Sequence, residues 1–146
     1  MVVGPSGAGK TTLLTALGLM EQKHGGKTEM VSYTSRSIDT PGEMLENPRY
    51  YSVLLMNAPK AALVLFVADP TGNVRFPSRM AQAFRAPVLG VVTKVDVSTP
   101  EERERAKERL RSAGAREVVD CSPVTGEGMD RLKSSIERMS REVFRA

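Results

Sequence analysis

Eight residues constrain this chain more than any others: Gly4-Pro5-Ser6-Gly7-Ala8-Gly9-Lys10-Thr11. They satisfy G-x-x-x-x-G-K-[ST], the P-loop pattern, at every specified position. The needs of a polyphosphate explain each part. Gly4, Gly7 and Gly9 permit backbone conformations closed to residues that carry a Cβ. The N–H groups of such a loop converge on a concave nest for phosphate oxygens. A helix opening near Lys10 adds its positive end. The Lys10 ammonium is expected to reach the β- and γ-phosphates, and the Thr11 hydroxyl to ligand Mg²⁺. Gly4, Ser6, Gly7, Ala8, Gly9, Lys10, Thr11 and Thr12 therefore make up the expected phosphate site. Met1-Val2-Val3 reads as the tail of an apolar strand, and residues 12–17 as a helix with Leu13, Leu14 and Leu17 on its apolar stripe. Only three residues precede Gly4, so the first strand is expected to be abbreviated or to begin upstream.

The rest of the chain alternates strand and helix patterns. Residues 61–68 (Ala-Ala-Leu-Val-Leu-Phe-Val-Ala) and 87–92 (Pro-Val-Leu-Gly-Val-Val) are continuously apolar, as strands buried on both faces of a parallel sheet are. Short strands are expected at 30–33, 37–39 and 118–119, and helices over 49–57 and 79–85. Thr99-Pro100-Glu101-Glu102 carries a full set of helix-start signals, and Gly114 is the expected stop. Across the wet face of that helix Glu101/Arg105 and Glu104/Lys107 are expected to pair. Met129, Leu132, Ile136, Met139 and Val143 form the core stripe of a last helix. The order implies a single α/β domain over 1–146: a doubly wound, mainly parallel sheet of the P-loop NTPase, small GTPase-like kind.

Charge and composition narrow the partners. The net charge of +4 does not form a basic stripe, because acidic and basic residues interleave over 101–146, and few aromatics are present to stack bases; no nucleic-acid partner is expected. No apolar run is long enough to span a membrane, no leader is visible, and Cys121 is single, so a reducing cytoplasm is the expected setting. His24 and Cys121 are read as a solvated loop residue and a small core residue.

In a doubly wound sheet the ligand lies beyond the carboxyl ends of the strands, so the loops after the strands carry the remaining chemistry. Asp39 ends a strand and is placed to hold Mg²⁺ through water, while Gly42 offers an N–H that can approach a γ-phosphate. Thr93-Lys94-Val95-Asp96 has the form [NT]-K-x-D. The Asp96 carboxylate can accept from the ring N–H and the exocyclic amine of guanine, a donor pair that adenine lacks, and the Lys94 stem can lie along the base. Ser122-Pro123-Val124 resembles the loop that closes over guanine from the other side. Pro123 has no N–H, so the usual contact to the guanine carbonyl cannot form there, which leaves ATP as an alternative to GTP/GDP.

With these pieces in order, the chain resembles the EutP/PduV family of ethanolamine- and propanediol-utilisation proteins. The resemblance is carried by residues 4–11, Lys27-Thr28 with Tyr33, residues 38–47 (Ile-Asp-Thr-Pro-Gly-Glu-Met-Leu-Glu-Asn), Phe76-Pro77, residues 87–96 and residues 122–128. It implies a Mg²⁺-dependent purine nucleotide protein of a bacterial catabolic system, often housed in a protein microcompartment whose shell or cargo would be its partners. By the same resemblance Thr28 is the switch threonine that ligands Mg²⁺. Glu43 stands where many GTPases carry a water-orienting glutamine, so slow hydrolysis is expected. Three readings stay open: a GTPase-like switch, a kinase acting on acetate with Lys27, Arg36 and Arg49 nearby, and a nucleotide-bound docking module.

Overall fold

The computed structural model describes residues 1–5, 7–18, 32–33, 38–39, 52, 55–56, 61–72 and 76–145. In chain order the strands are β1 (Val2–Val3), β2 (Ser32–Tyr33), β3 (Ile38–Asp39), β4 (Val64–Ala68), β5 (Val88–Val92) and β6 (Glu117–Asp120). The helices are α1 (Lys10–Ala16), α2 (Pro100–Ser112) and α3 (Met129–Arg145). The six strands form one sheet in the order β2-β3-β1-β4-β5-β6. Every neighbouring pair is parallel except β2 and β3, so the sheet is mainly parallel, as expected.

Alternation along β4 assigns the two faces. Val64, Phe66 and Ala68 pack with Val88, Val92, Ala106, Leu110 and Ala113 beneath α2. Leu65 and Val67 point the other way, into a cluster with Leu13 and Leu14 of α1 and Met129, Leu132 and Met139 of α3. The result is three layers, helix on sheet on helix, and it explains why β4 and β5 are apolar at every position: both faces are covered. Phe76 stacks on Phe66 with ring centroids 4.9 Å apart, and Phe84 meets the same ring edge-on at 5.7 Å. Gly90 lies where α2 comes closest; a Cβ there would sit 3.1 Å from Leu110 and Val118.

The helix-start signals act as expected. Glu102 N–H donates to Thr99 Oγ1 at 3.2 Å, Thr99 N–H donates to Glu102 Oε1 at 2.9 Å, and Pro100 occupies the first turn. Gly114, at φ 99°, ends the helix in the left-handed conformation.

Four expectations are corrected. The segment 79–85 is not an α-helix but a single 3-10 turn, Met80–Ala83. Gln82 and Phe84 N–H donate three residues back, to the Arg79 and Ala81 carbonyls, which makes the turn 3-10, while the Arg79 and Ala81 N–H groups, which a helix start leaves unpaired, meet the Ser112 and Ala113 carbonyls at the end of α2. The strand expected over 61–68 pairs only from Val64, while the Leu63 carbonyl accepts from the Met1 amine at 2.7 Å. Lys107 turns from Glu104 to Asp120 of β6, at 3.1 Å, and Glu104 instead meets Arg111 at 3.3 Å. The sixth strand is longer than expected, starting at Glu117 and ending at Asp120. Of the helix expected over 49–57, Ser52, Leu55 and Met56 are helical, and the remainder lies outside the described residues. Val143 lies within α3, but its side chain is not described.

Candidate functional site

β1 is the point from which the chain spreads both ways, with β3 on one side and β4 on the other. Strand order reverses there, and a crevice opens beyond the carboxyl ends. Residues 4–9 leave β1 directly into that crevice, and α1 starts at Lys10.

The glycines of this loop have two different reasons. Gly7 and Gly9 sit at φ 81° and 88°, the left-handed region that disfavours a Cβ, and a Cβ on either would meet nothing within 4 Å. Gly4 is not among the positive-φ residues; it is required because a Cβ there would run into the Val67 carbonyl oxygen of β4. Its role is close packing of loop on strand, a correction to the conformational reason expected. Lys10 is only 7% exposed. Its ammonium donates to the Gly4 and Pro5 carbonyls at 2.8 and 3.1 Å, which holds the charge against the concave backbone. Ala8 is buried, Thr11 half-buried and Thr12 exposed.

The loop after β5 closes onto the same place. Thr93 is buried, and its hydroxyl lies 2.9 Å from the Ala8 carbonyl and 3.2 Å from that of Ala68. Lys94 takes a left-handed backbone, φ 58°, uncommon for a residue with a side chain. Its ammonium donates to Asp69 Oδ2 at 2.7 Å and toward the Gly7 carbonyl at 3.4 Å. Two residues of the base-reading motif thus touch the phosphate-loop backbone across more than 80 positions of sequence.

Asp96 is exposed, and the Ser122 hydroxyl donates to its Oδ1 at 2.9 Å. That bond aims the carboxylate and leaves Oδ2 for a further donor. Ser122 is itself buried, and its Oγ accepts from Thr125 N–H at 3.2 Å. Pro123 follows without an N–H, and Val124 stands 81% exposed at the rim. Cys121 is buried at the end of β6, and burial pushes its thiol up to about 12, which makes it inert.

Sequence reasoning missed three supports. Ser98 Oγ donates to the Lys94 carbonyl at 2.7 Å. Arg103, one turn into α2, donates to the Val95 and Ser98 carbonyls at 3.0 and 2.7 Å. Asp69 begins the loop after β4; Thr71 donates to its Oδ1 through N–H at 2.9 Å and through its hydroxyl at 2.7 Å. Burial pulls the Asp69 carboxyl upward, but the Lys94 and Thr71 bonds outweigh it and hold it below the ordinary carboxylate range.

Asp39 ends β3 opposite Val2, which brings its backbone to the edge where residues 4–10 emerge. A hydroxyl from Thr11 and a carboxylate from Asp39 are the hard oxygen donors that suit Mg²⁺. Among the described residues no group of three His, Cys, Asp or Glu side chains could form a metal cage. Ser6, His24, Lys27, Thr28, Arg36, Gly42, Glu43 and Arg49 lie outside the described residues. A cavity of about 320 Å³ between residues 70–72 and α2 is lined by Thr71, Glu102, Arg105 and Arg109, among others, and touches none of residues 4–11.

Residues 1–138 match the PduV-EutP family, described as ethanolamine utilisation and propanediol utilisation. The chain belongs to that family. It is 36% identical over 134 residues to the propanediol utilization protein PduV of Citrobacter freundii, covering 90% of this chain and 88% of the relative. Another relative is the probable acetate kinase EutP of Salmonella typhimurium, 33% identical over 98 residues, 65% of this chain and 61% of the other. Among solved structures, a probable GTP-binding protein engB superposes with a TM-score of 0.72 at 18% identity, each chain 97% covered. The bacterial selenocysteine-specific elongation factor EF-Sec superposes with a TM-score of 0.73 at 23% identity, over 97% of this chain and 28% of the longer one. The fold is that of a P-loop GTPase G domain. Among the described residues no helix is long and apolar enough to cross a membrane.

Proposed function

We propose that this PduV-EutP family member is a Mg²⁺-dependent, GTPase-like nucleotide-binding protein of ethanolamine or propanediol utilisation, working at a bacterial microcompartment. One observation carries the reading. Thr93 and Lys94 of the [NT]-K-x-D loop reach the Ala8 and Gly7 carbonyls, which supports reading the two loops as one continuous site. In that site the Lys10 ammonium would neutralise the β- and γ-phosphates, and Thr11, Thr28 and Asp39 are the residues that would hold the ion. Bound Mg²⁺ would supply charge neutralisation between those phosphates. Asp96 accepts from guanine, and the Lys94 stem covers one face of the ring. With Pro123 unable to donate, the nearest following N–H is that of Val124, which has no acceptor among the described residues. Glu43 would make turnover slow, because a carboxylate in place of a water-orienting amide repels a γ-phosphate.

Calorimetric titration with GTP, GDP, ATP and ADP in the presence of Mg²⁺ tests the proposal. Guanine nucleotides are expected to bind, and Lys10→Ala to abolish the signal. Well-folded protein that binds neither purine class would overturn it. The EutP relative's name supports a second reading, phosphoryl transfer to a short carboxylate. A coupled acetyl-phosphate assay that yields nothing above the Lys10→Ala background would remove that reading and leave the first intact.

A further inference from the structure

The motif reading left Asp69 without a role, yet its two carboxylate oxygens do separate jobs. Oδ1 takes both Thr71 donors and shapes the turn after β4. Oδ2 takes the Lys94 ammonium at 2.7 Å. Asp69 is the more buried of the pair, its side chain 16% exposed against 42% for Lys94, so the carboxylate is the anchor and the lysine is the part being held. Lys94 is also constrained at its backbone. It sits at φ 58° with its carbonyl accepting from Ser98 Oγ at 2.7 Å and from Val97 N–H at 3.2 Å. A backbone in a sparsely populated region persists where its surroundings over-determine it, and such positions cluster at ligand sites. Pinned at both ends, the four-carbon stem between them has one path, running from the β5 edge past the Gly7 carbonyl toward Asp69.

We infer that Asp69 is a positioning residue for the base: it draws the Lys94 stem taut along the ring plane and so raises affinity for the nucleoside part of the ligand whatever the number of phosphates. The inference rests on the nucleotide-binding proposal above. A lysine without this anchor would lose side-chain order that the ligand must then restore on binding. The anchor also leaves fewer ammonium donors to compete for phosphate, which separates the duty of Lys94 from that of Lys10.

Asp69→Asn is the discriminating change. The amide oxygen can keep the Thr71 bonds, while its NH₂ would face the ammonium and cannot accept from it. The expected result is a loss of about tenfold in affinity, equal for GTP and GDP, with the melting transition little moved. In a Lys94→Met background, the same Asp69→Asn change should cost less than about twofold, because its target is gone. Three results would overturn the inference: no loss in Asp69→Asn, a loss confined to GTP, or the same loss with Met at 94. The second would place Asp69 in service of the γ-phosphate or its ion. Should Asp69→Asn fail to fold, Asp69→Ser keeps a short acceptor for Thr71, removes the charge, and serves the same cycle. Wild-type protein that binds no nucleotide would sink this inference together with the functional proposal; wild-type binding with Asp69→Asn unaffected would sink this inference alone.

Discussion

The two loops that meet at the carboxyl edge of the sheet are held by different means. Residues 4–10 are shaped by main chain: two glycines at positive φ, a third pressed against β4, and one buried lysine folded across the carbonyls. Residues 93–97 are shaped by side chains from four other places: Asp69 after β4, Ser122 after β6, Ser98 next to the loop and Arg103 on α2. The contrast follows from what each loop would recognise. Phosphate oxygens are alike in every nucleotide, and a nest of N–H groups serves them all. A base edge is particular, so a carboxylate proposed to read it would need a fixed direction, and the Ser122 hydroxyl donates to Asp96 Oδ1.

Substitutions on either loop test this contrast. Lys10→Ala removes the phosphate loop's one charged side chain. It should weaken di- and triphosphate binding about a hundredfold or more, by calorimetry, and the loss should grow with phosphate number. Gly4→Ala drives a Cβ into the Val67 carbonyl, a backbone atom in the central strand, and should destabilise the fold by about 2–4 kcal/mol in urea unfolding. Gly7→Ala meets no atom and is charged only for its positive φ, so about 1–2 kcal/mol is expected. Equal costs at the two glycines would refute the separate reasons given for them. On the other loop, Asp96→Asn should leave stability unchanged and shift preference from guanine to xanthine nucleotides by about tenfold or more, measured by competition. Unaltered preference would mean that the carboxylate does not read the base.

The smallest effect is a pH dependence. Asp69 and Asp120 are both held below the ordinary carboxylate range in the fold, despite burial, by Lys94 with Thr71 and by Lys107. A depressed folded pKa contributes stability above the unfolded value near 4, and that contribution is lost as pH falls through the folded value. Both pairs are partly exposed, so each should contribute no more than about 1 kcal/mol. Urea midpoints of wild type and Asp120→Asn should therefore differ at about pH 6 and converge below about pH 3. A gap that persists in acid would show that charge pairing is not its source.

Much of the site was legible before the fold was known, because its patterns are local. The octapeptide, the Thr99-to-Glu102 capping box and the β4 and β5 runs each depend on residues a few positions apart. Other readings failed where a distant partner decided. Residues 79–85 look helical, but they close i→i−3 bonds in a single turn docked by the Arg79 and Ala81 N–H groups on the end of α2. Lys107 looks paired with Glu104, but β6 brings Asp120 nearer. Thr93 is not such a failure: it stands in the [NT]-K-x-D motif on sequence, and the fold adds the contact of its buried hydroxyl with the Ala8 and Ala68 carbonyls. Nothing in the sequence around Arg103 or Asp69 marks them as supports, since each is an ordinary charged residue until another segment is laid beside it.

By itself the sequence determined a phosphate-type loop between a strand and a helix, a sheet buried on both faces and membership of the PduV-EutP family, since backbone freedom at glycine and side-chain periodicity are properties of short segments. Tertiary structure decided which residues stand level with one another. The β4–β5 register sets Ala68 beside Val92, and one residue beyond that pair Asp69 comes within reach of Lys94. Side-chain packing under α2 and α3 selects that register, because a slip of one residue would turn Phe66 and Leu89 to the wrong faces.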